Sequence, residues 1–209
     1  MIKIVVVGGG GHGSVVLDAL LLSKEFEPVG VTDANPELRG RELLGIEVLG
    51  DDGVLAELRS RGVTAAALGL GDNARRRALY ERLRELDLVF PPVIHPSAAV
   101  SSHAEIQQAA VVMPMAAVNA GTIVGTGAVV NTRAAVDHDC RLGDFSQVAP
   151  GASLGGHVSV GEEALVGIGA SVLPGTTIGP RAVVGAGAVV LTDIPGEQVW
   201  VGNPARRLR

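Results

Sequence analysis

Aromatic side chains are nearly absent from this sequence, and their scarcity limits the kind of core that it can form. Phenylalanine, tyrosine and tryptophan make up only 2% of the 209 residues, although 47% of the residues are hydrophobic. The core must therefore consist of valine, alanine, leucine and isoleucine. Such side chains fill thin, repeated layers well, which favours a solenoid over an ordinary globule.

Cysteine and positive charge are also scarce, and each scarcity excludes a class of protein. Cys140 is the only cysteine, so an internal disulfide is impossible, and we expect this thiol to fill a place in the core. The net charge of −5 and the pI near 5.5 offer no basic surface to nucleic acid or to an acidic membrane. No basic leader with a long apolar run precedes the first predicted strand. We therefore expect a cytoplasmic protein that binds neither nucleic acid nor membrane.

The C-terminal half contains a regular hexad repeat. An aliphatic residue stands at every sixth position, and a small or β-branched residue stands two positions before each one from Val100 onward. No helix has this period, whereas residues two apart on a strand share a face. Glycine follows the aliphatic residue in every third hexad, as at Val124 and Leu142, which predicts three-sided coils. The aliphatic series is Ile94, Val100, Ile106, Val112, Val118, Val124, Val130, Val136, Leu142, Val148, Leu154, Val160, Val166, Val172, Ile178, Val184 and Val190.

The N-terminal part has a different pattern, in which apolar runs alternate with amphipathic segments. This alternation predicts a βαβαβ unit, or half of a Rossmann fold, over residues 1–92, and an all-β solenoid over residues 93–209. The expected strands are Ile2–Val7, Val29–Thr32, Ile46–Leu49 and Thr64–Leu70, and the expected helices are Ser14–Ser23, Asp51–Ser60 and Ala74–Leu86.

A glycine-rich loop follows the first predicted strand. Gly8, Gly10 and Gly13 match the spacing G-x-G-x-x-G, and Asp33 follows the second strand. Glycines let a phosphate approach the backbone, and the next helix offers it unpaired N–H groups. We therefore expect a nucleotide site, with a simple tight turn as the alternative. His12 could either cap the helix or contact the ligand.

Three further motifs carry a family resemblance. They are Val93–Ala98 before the repeat, Val136-Asp137-His138-Asp139-Cys140 within it, and Val201–Arg206 after it. With them, the repeat resembles the hexapeptide-repeat acyltransferases, whose fold is a left-handed parallel β-helix. With the glycine loop in front, the whole chain resembles bacterial nucleotide-sugar N-acetyltransferases of the bacillosamine and perosamine type, and their relatives described as sialic acid O-acetyltransferases.

The resemblance implies an activity and an assembly. Acetyl-CoA would donate its acetyl group to the amine of a UDP- or GDP-linked 4-amino sugar, for the synthesis of bacterial surface glycans. The enzyme would be a homotrimer with active sites between neighbouring β-helices, and it would need no metal. The alternative within this scaffold is O-acetylation of a sugar or sialic acid hydroxyl.

The resemblance also implies roles for individual residues. His138 would take the proton from the acceptor and Asp139 would raise its basicity, so these two form the expected catalytic pair. Gln147 stands where the family usually has a second histidine, and it could donate an N–H group to the thioester carbonyl but could not shuttle protons. The expected coenzyme A contacts are Gln147, Ile168 and Ala186, and the expected nucleotide-sugar contacts are Gly10, Gly11, His12, Asp33 and Gly71.

Two other classes of function remain open on the residues. A metal enzyme of the carbonic-anhydrase kind would need three convergent imidazoles, whereas only His138 and His157 lie in the middle coils, and we expect His157 to be a surface residue. A trimer that senses nucleotides without catalysis is the other alternative. A variant lacking His138 would separate an enzyme from a sensor.

Overall fold

The computed structural model describes residues 1–208 and divides into two compact units. Residues Met1–Pro96 form the first unit, and the described residues from Ser97 onward form the second. Within the described residues, the helices are too short or too polar to cross a lipid bilayer.

The first unit is a twisted sheet with three α-helices. Its elements are β1 (Ile2–Val7), α1 (Gly11–Leu22), β2 (Phe26–Thr32), β3 (Glu42–Leu43), β4 (Ile46–Gly50), α2 (Leu55–Ser60), β5 (Ala65–Leu68) and α3 (Asn73–Leu83). Single 3-10 turns occur at Pro36–Leu38, Asp52–Val54 and Arg84–Leu86. The strand order β3-β4-β2-β1-β5 places β1 next to both β2 and β5, and β1 pairs in parallel with each of them. The next strand, β6 (Val93–Ile94), belongs to a different sheet.

Helix α1 begins three residues earlier than the expected start at Ser14. Gly10 is the extended residue before it, and Gly11, His12 and Gly13 already belong to its first turn. The sequence predicts a loop through all the glycines, because glycine weakens helices. In the structure, the first turn lies so close to Gly8, the residue after β1, that a residue without a Cβ is required at position 13, and packing therefore outweighs helix propensity.

The second unit is a parallel β-helix built from two-residue strands. The first sheet contains β7 (Ala99–Val100), β10 (Ala117–Val118), β13 (Ala135–Val136), β16 (Ser153–Leu154), β19 (Ser171–Val172) and β22 (Val189–Val190). The second contains β8 (Glu105–Ile106), β11 (Ile123–Val124), β14 (Arg141–Leu142), β17 (Ser159–Val160) and β20 (Thr177–Ile178). The third contains β6, β9 (Val111–Val112), β12 (Val129–Val130), β15 (Gln147–Val148), β18 (Leu165–Val166), β21 (Val183–Val184), β23 (Val199–Val201) and β24 (Arg206–Arg207).

The register confirms the three-sided coil, in which three hexads complete one turn. Ala117 pairs with Ala135 and Val118 with Val136, and the same offset recurs in all three sheets. The aliphatic and small residues of each hexad point inward together and form one continuous core. Cys140 is fully buried in this core, as predicted.

The corners of the coils are made by residues in the left-handed conformation. Arg133, Asp139 and Phe145 have φ values of 58°, 57° and 55°, one at each corner of a single coil. This conformation costs little for glycine and somewhat more for other residues. It turns the chain sharply, so neighbouring corner residues can present their side chains on the same side, which a straight strand forbids.

Candidate functional site

The first unit has a cleft at the carboxyl ends of β1, β2 and β5. Strand order reverses direction at β1, and ligands of open α/β sheets bind at such a switch point. The cleft has a volume of about 480 Å³. All five predicted nucleotide-sugar contacts line it, namely Gly10, Gly11, His12, Asp33 and Gly71.

Glycines are required where two loops meet beneath this cleft. Gly8 has a φ of +111°, and a Cβ on Gly13 would lie 1.9 Å from the Gly8 carbonyl oxygen. A Cβ on Gly69 would lie 2.2 Å from the same oxygen. The first turn of α1 and the loop after β5 are therefore in contact through backbone alone, which leaves N–H groups accessible to a phosphate.

Asp33 fixes the glycine loop to the end of β2. Its Oδ2 accepts a hydrogen bond of 2.7 Å from the Gly9 N–H, and its Oδ1 accepts one of 2.8 Å from the Asn35 N–H. Each carboxylate oxygen also has a second lone pair available. Asp33 therefore shapes the cleft besides being a predicted ligand contact.

Arg76 holds the loop on the third side of the cleft, and no sequence motif marks this residue. This side chain is fully buried. Its guanidinium donates to the carbonyl oxygens of Leu70 and Gly71 at 3.2 and 3.1 Å, and to Asn73 Oδ1 at 2.9 Å. A buried arginine must have its donors satisfied, and here two backbone oxygens of the loop and the Asn73 side chain accept hydrogen bonds from it. The sequence shows only a run of three arginines, which is typical of an exposed helix.

Polar side chains form one wall of the cleft, and no sequence motif marks them either. Thr32 Oγ1 donates to Asp52 Oδ1 at 2.8 Å, and Arg82 forms an ion pair with Asp52 Oδ2. Arg75 completes this wall. The residues come from β2, the turn after β4 and α3, so only the folded sheet brings them together. The cleft thus presents both carboxylate and guanidinium groups to a polar ligand.

His12 is neutral in the folded protein. Burial lowers its pKa to about 4, with a smaller contribution in the same direction from the charge of Arg76. Its Nε2 is buried without a hydrogen-bond partner among the described residues. An unpaired buried nitrogen on the cleft is costly, so it indicates a polar ligand more strongly than a helix cap. The cap position is Gly10 instead.

The low pKa of His12 implies that the folded protein loses stability as the pH falls. In the unfolded chain, His12 takes up a proton as the pH falls through its ordinary pKa of 6.5. In the folded protein, His12 takes up this proton only near pH 4. Stability therefore falls across this window. Between pH 7 and pH 5 we expect the unfolding free energy to fall by about 2 kcal/mol more in the wild type than in His12→Gln. Urea unfolding without nucleotide tests this, and equal pH slopes in both proteins would contradict it.

The second unit contains the predicted pair, His138 and Asp139, at one corner of the β-helix. We call residues 137–140 and 155–158 the histidine corner. His138 Nδ1 donates to Asp139 Oδ2 at 2.9 Å. The left-handed φ of 57° at Asp139 turns its carboxylate to the side of its neighbour. Because Nδ1 carries the proton shared with the carboxylate, the Nε2 lone pair is free to act as a base.

Two aspartates increase the basicity of His138. The hydrogen bond from His138 to Asp139 raises the pKa of His138, and the negative charge of Asp137 raises it further. Asp137 is held in place by hydrogen bonds of 2.8 Å from Asn119 Nδ2 and from the His138 N–H. These bonds lower the pKa of Asp137, with the Asn119 bond contributing most. His138 is therefore a stronger base than a free imidazole.

Glycines make room for this pair. A Cβ on Gly121 would lie 2.4 Å from Asp139 Oδ1, and a Cβ on Gly156 would lie 2.6 Å from His138 Nε2 and Cε1. The imidazole thus lies directly on the backbone of the next coil. The position of the ring depends on a glycine that the hexad pattern alone does not single out.

Gly156→Ala is expected to reduce activity without unfolding the protein. The added methyl group collides with the end of a flexible, exposed side chain, so the ring moves and the backbone does not. A displacement of about 1 Å in a reacting group can lower kcat by roughly 10–100-fold. We expect a fall of that order at unchanged melting temperature. Wild-type kcat would show that the position of the ring on Gly156 is unimportant.

His157 lies in contact with the pair. It follows Asp139 by three hexads, so it occupies the next coil directly above it. Its ring meets the His138 ring edge to face, with centroids 5.2 Å apart. His157 Nε2 is 3.9 Å from Asp139 Oδ2, and 66% of the side chain is exposed. The residue is at the surface, as expected, but its contact with His138 and Asp139 was not predicted from the sequence.

The predicted coenzyme A contacts lie on another part of the coil. Ile168 and Ala186 are stacked one coil apart on the turn that follows the third sheet, and neither is buried. We call residues 131–134, 149–152, 167–170 and 185–188 the donor corner. A groove of about 320 Å³ lined by Thr132, Arg133, Pro150 and Gly151 continues the same column. Gln147 is half-buried on the strand leading into it. Within one chain, the structure does not bring these residues to His138.

Comparisons with known proteins agree with both units. The family model described as the PglD N-terminal domain matches residues 3–83, and that described as bacterial transferase hexapeptide (six repeats) matches residues 157–192. No curated protein sequence matches the chain.

Solved structures resemble the whole chain. PerB from Caulobacter crescentus, solved with CoA and GDP-perosamine, is 40% identical over 99% of this chain and 97% of its own, with a TM-score of 0.94. The acetyltransferase domain of PglB from Neisseria gonorrhoeae is 38% identical over the full length of both chains, with a TM-score of 0.94. WeeI from Acinetobacter baumannii is 28% identical, again over both full lengths, with a TM-score of 0.84. The chain therefore belongs to the family of hexapeptide-repeat nucleotide-sugar N-acetyltransferases, with an α/β N-terminal unit and a left-handed parallel β-helix.

Proposed function

We propose that this protein transfers the acetyl group of acetyl-CoA to the amine of a nucleotide-linked amino sugar. The observation that carries the proposal is the hydrogen bond of 2.9 Å between His138 and Asp139, which leaves an outward-facing base on the β-helix. PerB, which is similar over nearly the whole chain, has been solved with CoA and GDP-perosamine. The PglB domain has been solved with acetyl coenzyme A.

The reaction follows from the chemistry of an amine and a thioester. The neutral amine attacks the carbonyl carbon of the thioester while His138 Nε2 accepts a proton from the nitrogen. The C–S bond then breaks, and the coenzyme A sulfur takes the proton from His138. Asp139 orients the ring and stabilises its positive charge during this step. The side-chain amide of Gln147 is a candidate donor to the thioester oxygen.

The cleft of the first unit is proposed to bind the nucleotide. The first turn of α1 would hold a phosphate through Gly10 and Gly11, and His12 Nε2 would find its missing partner on the ligand. Arg75 offers a guanidinium group at the same cleft, whereas the charge of Arg82 is paired with Asp52. The sugar attached to the nucleotide would carry the amine that reacts.

A homotrimer would complete the active site. His138 lies at the histidine corner, whereas Ile168 and Ala186 lie at the donor corner, on a different edge of the coil. One chain cannot bring coenzyme A on its own donor corner to its own base. In a ring of three chains, the donor corner of one subunit can face the histidine corner of the next. We propose that this assembly works in the cytoplasm, since phosphorylated nucleotide-sugars and coenzyme A do not cross membranes.

The experiment is a turnover assay with acetyl-CoA and a panel of amino sugars. GDP-, UDP- and dTDP-linked 4-amino sugars are offered, together with the same sugars without nucleotide and with free sialic acid. The proposal expects N-acetylation of at least one nucleotide-linked sugar and little turnover of the free sugars. Acetylation of a hydroxyl group, or equal turnover without nucleotide, would replace the proposal by the O-acetyltransferase alternative. Light scattering of the same sample tests the trimer.

A further inference from the structure

Three metal-ligating side chains converge at the histidine corner. His138, Asp139 and His157 each offer one ligand atom, and these atoms lie within 4.8 Å of one another. His138 Nδ1 is 2.9 Å from Asp139 Oδ2, and His157 Nε2 is 3.9 Å from the same oxygen. Two imidazole nitrogens and one carboxylate oxygen are a common ligand set for zinc in proteins. His157 has no role in the proposed mechanism of acetyl transfer.

The spacing of these atoms is close to what zinc requires. Tetrahedral zinc with bonds of about 2.0–2.1 Å separates its ligands by roughly 3.3 Å. The distances of 2.9 and 3.9 Å from Asp139 Oδ2 lie on either side of that value, so small rotations of the exposed side chains would bring both close to it. The fourth position would face solvent and hold water.

The backbone holds the three residues in place without a metal. The His157 N–H donates to the His138 carbonyl oxygen at 2.9 Å, which locks the two coils in register. Asp139 and His157 both adopt the left-handed conformation, with φ values of 57° and 60°, so their side chains leave the corner in the same direction. Gly121 leaves space for the carboxylate. A metal would therefore bind a largely preformed site.

We propose that Zn²⁺ binds between His138, Asp139 and His157 and inhibits acetyl transfer. In the neutral ring, Nδ1 carries the proton that faces Asp139, and Nε2 carries the lone pair. Coordination through Nδ1 requires this proton to move by way of solvent to Nε2. With zinc on one nitrogen and a proton on the other, His138 has no lone pair with which to accept a proton from the substrate.

The binding experiment does not depend on the proposed function. Untagged protein competes for Zn²⁺ with a chromogenic chelator, and we expect one tight site per chain. His157→Phe keeps an aromatic ring against His138 but removes a ligand, and it should weaken zinc binding by at least roughly 10–100-fold. His103→Phe is the matched control: His103 lies on the same edge of the β-helix, two coils before Asp139, and its loss should change nothing.

The inhibition experiment rests on the proposed function and uses whichever substrate supports turnover. Initial rates are followed by loss of the thioester absorbance, so that little free coenzyme A thiol competes for zinc. Wild type and His103→Phe should be inhibited by Zn²⁺ and restored by EDTA, whereas His157→Phe should remain active and resist inhibition. Mg²⁺, which prefers oxygen ligands, should have no effect.

Two results would overturn the proposal. Equal zinc affinity of wild type and His157→Phe would show that the three residues do not form a site. Tight binding that leaves the rate unchanged would show that zinc does not engage His138. If no sugar supports turnover, the function fails, but the chelator competition still decides whether the metal site exists.

Discussion

Replacing His138 by alanine is expected to lower kcat by about 10²–10⁴-fold, the usual contribution of a general base. The physical reason is the position of the ring: Nδ1 is tied to Asp139, so Nε2 is the only lone pair that the ring offers to the amine. The KM for the nucleotide-sugar should change little, because the predicted nucleotide contacts lie in the first unit. Steady-state kinetics with the best amino sugar from the panel measure both values.

The matched control for this variant is His103→Ala. It removes an exposed imidazole from the same edge of the β-helix and should leave kcat unchanged. His138→Asn is a second test, since it retains a hydrogen-bonding side chain without a basic lone pair, and it should be as slow as His138→Ala. Nucleotide-sugar binding by calorimetry should survive in every variant. Turnover of His138→Ala at the wild-type rate would remove His138 from the role of base.

The β-helix could be predicted almost completely from the sequence. An aliphatic side chain on every sixth residue leaves only one way to bury a continuous stripe of valine and alanine, namely coils stacked in register. The structure confirms the offset of three hexads between partners such as Val118 and Val136. Composition supported the same conclusion, because a core with few aromatic residues suits thin coils.

The contacts among His138, Asp139 and His157 could be predicted only in part. His138 and Asp139 are neighbours in sequence, but their hydrogen bond requires the left-handed conformation of Asp139, which non-glycine residues adopt only where the surrounding fold compensates its cost. The contact of His157 with the pair follows from the same offset of three hexads, counted from Asp139 rather than from His138. Counted from His138, His157 follows by 19 residues and is one position out of register, so the sequence predicts only a surface residue there.

The α/β unit shows a different limit of sequence analysis. Its glycine loop and the acidic residue after β2 were local patterns, and all five residues predicted as nucleotide-sugar contacts line one cleft. Arg76 has no comparable pattern, because two of its acceptors are backbone carbonyls, which any residue could supply. Buried charges that bind backbone are therefore hard to recognise before the fold is known.

Gly13→Ala is expected to cost about 3 kcal/mol or more of unfolding free energy, at the upper end of what overpacking costs. The new Cβ would lie 1.9 Å from the Gly8 carbonyl oxygen, which is backbone and cannot rotate away. Helix α1 would have to move off β1, and the phosphate-binding turn would move with it. Nucleotide-sugar affinity should therefore fall together with stability.

Gly11→Ala is the control for Gly13→Ala. It separates the effect of a collision with the Gly8 carbonyl oxygen from the effect of replacing a glycine in this turn. It lies in the same first turn of α1, and a Cβ there meets no atom within 4 Å. Because alanine favours helix, this variant should be unchanged or more stable by up to about 1 kcal/mol.

The two units can be followed by different signals. The described α-helices all belong to the first unit, so circular dichroism follows its unfolding, while fluorescence of Trp200 follows the second unit. Only the first transition should move in Gly13→Ala, and equal stability of the two variants would show that contact between α1 and β1 does not shape the cleft.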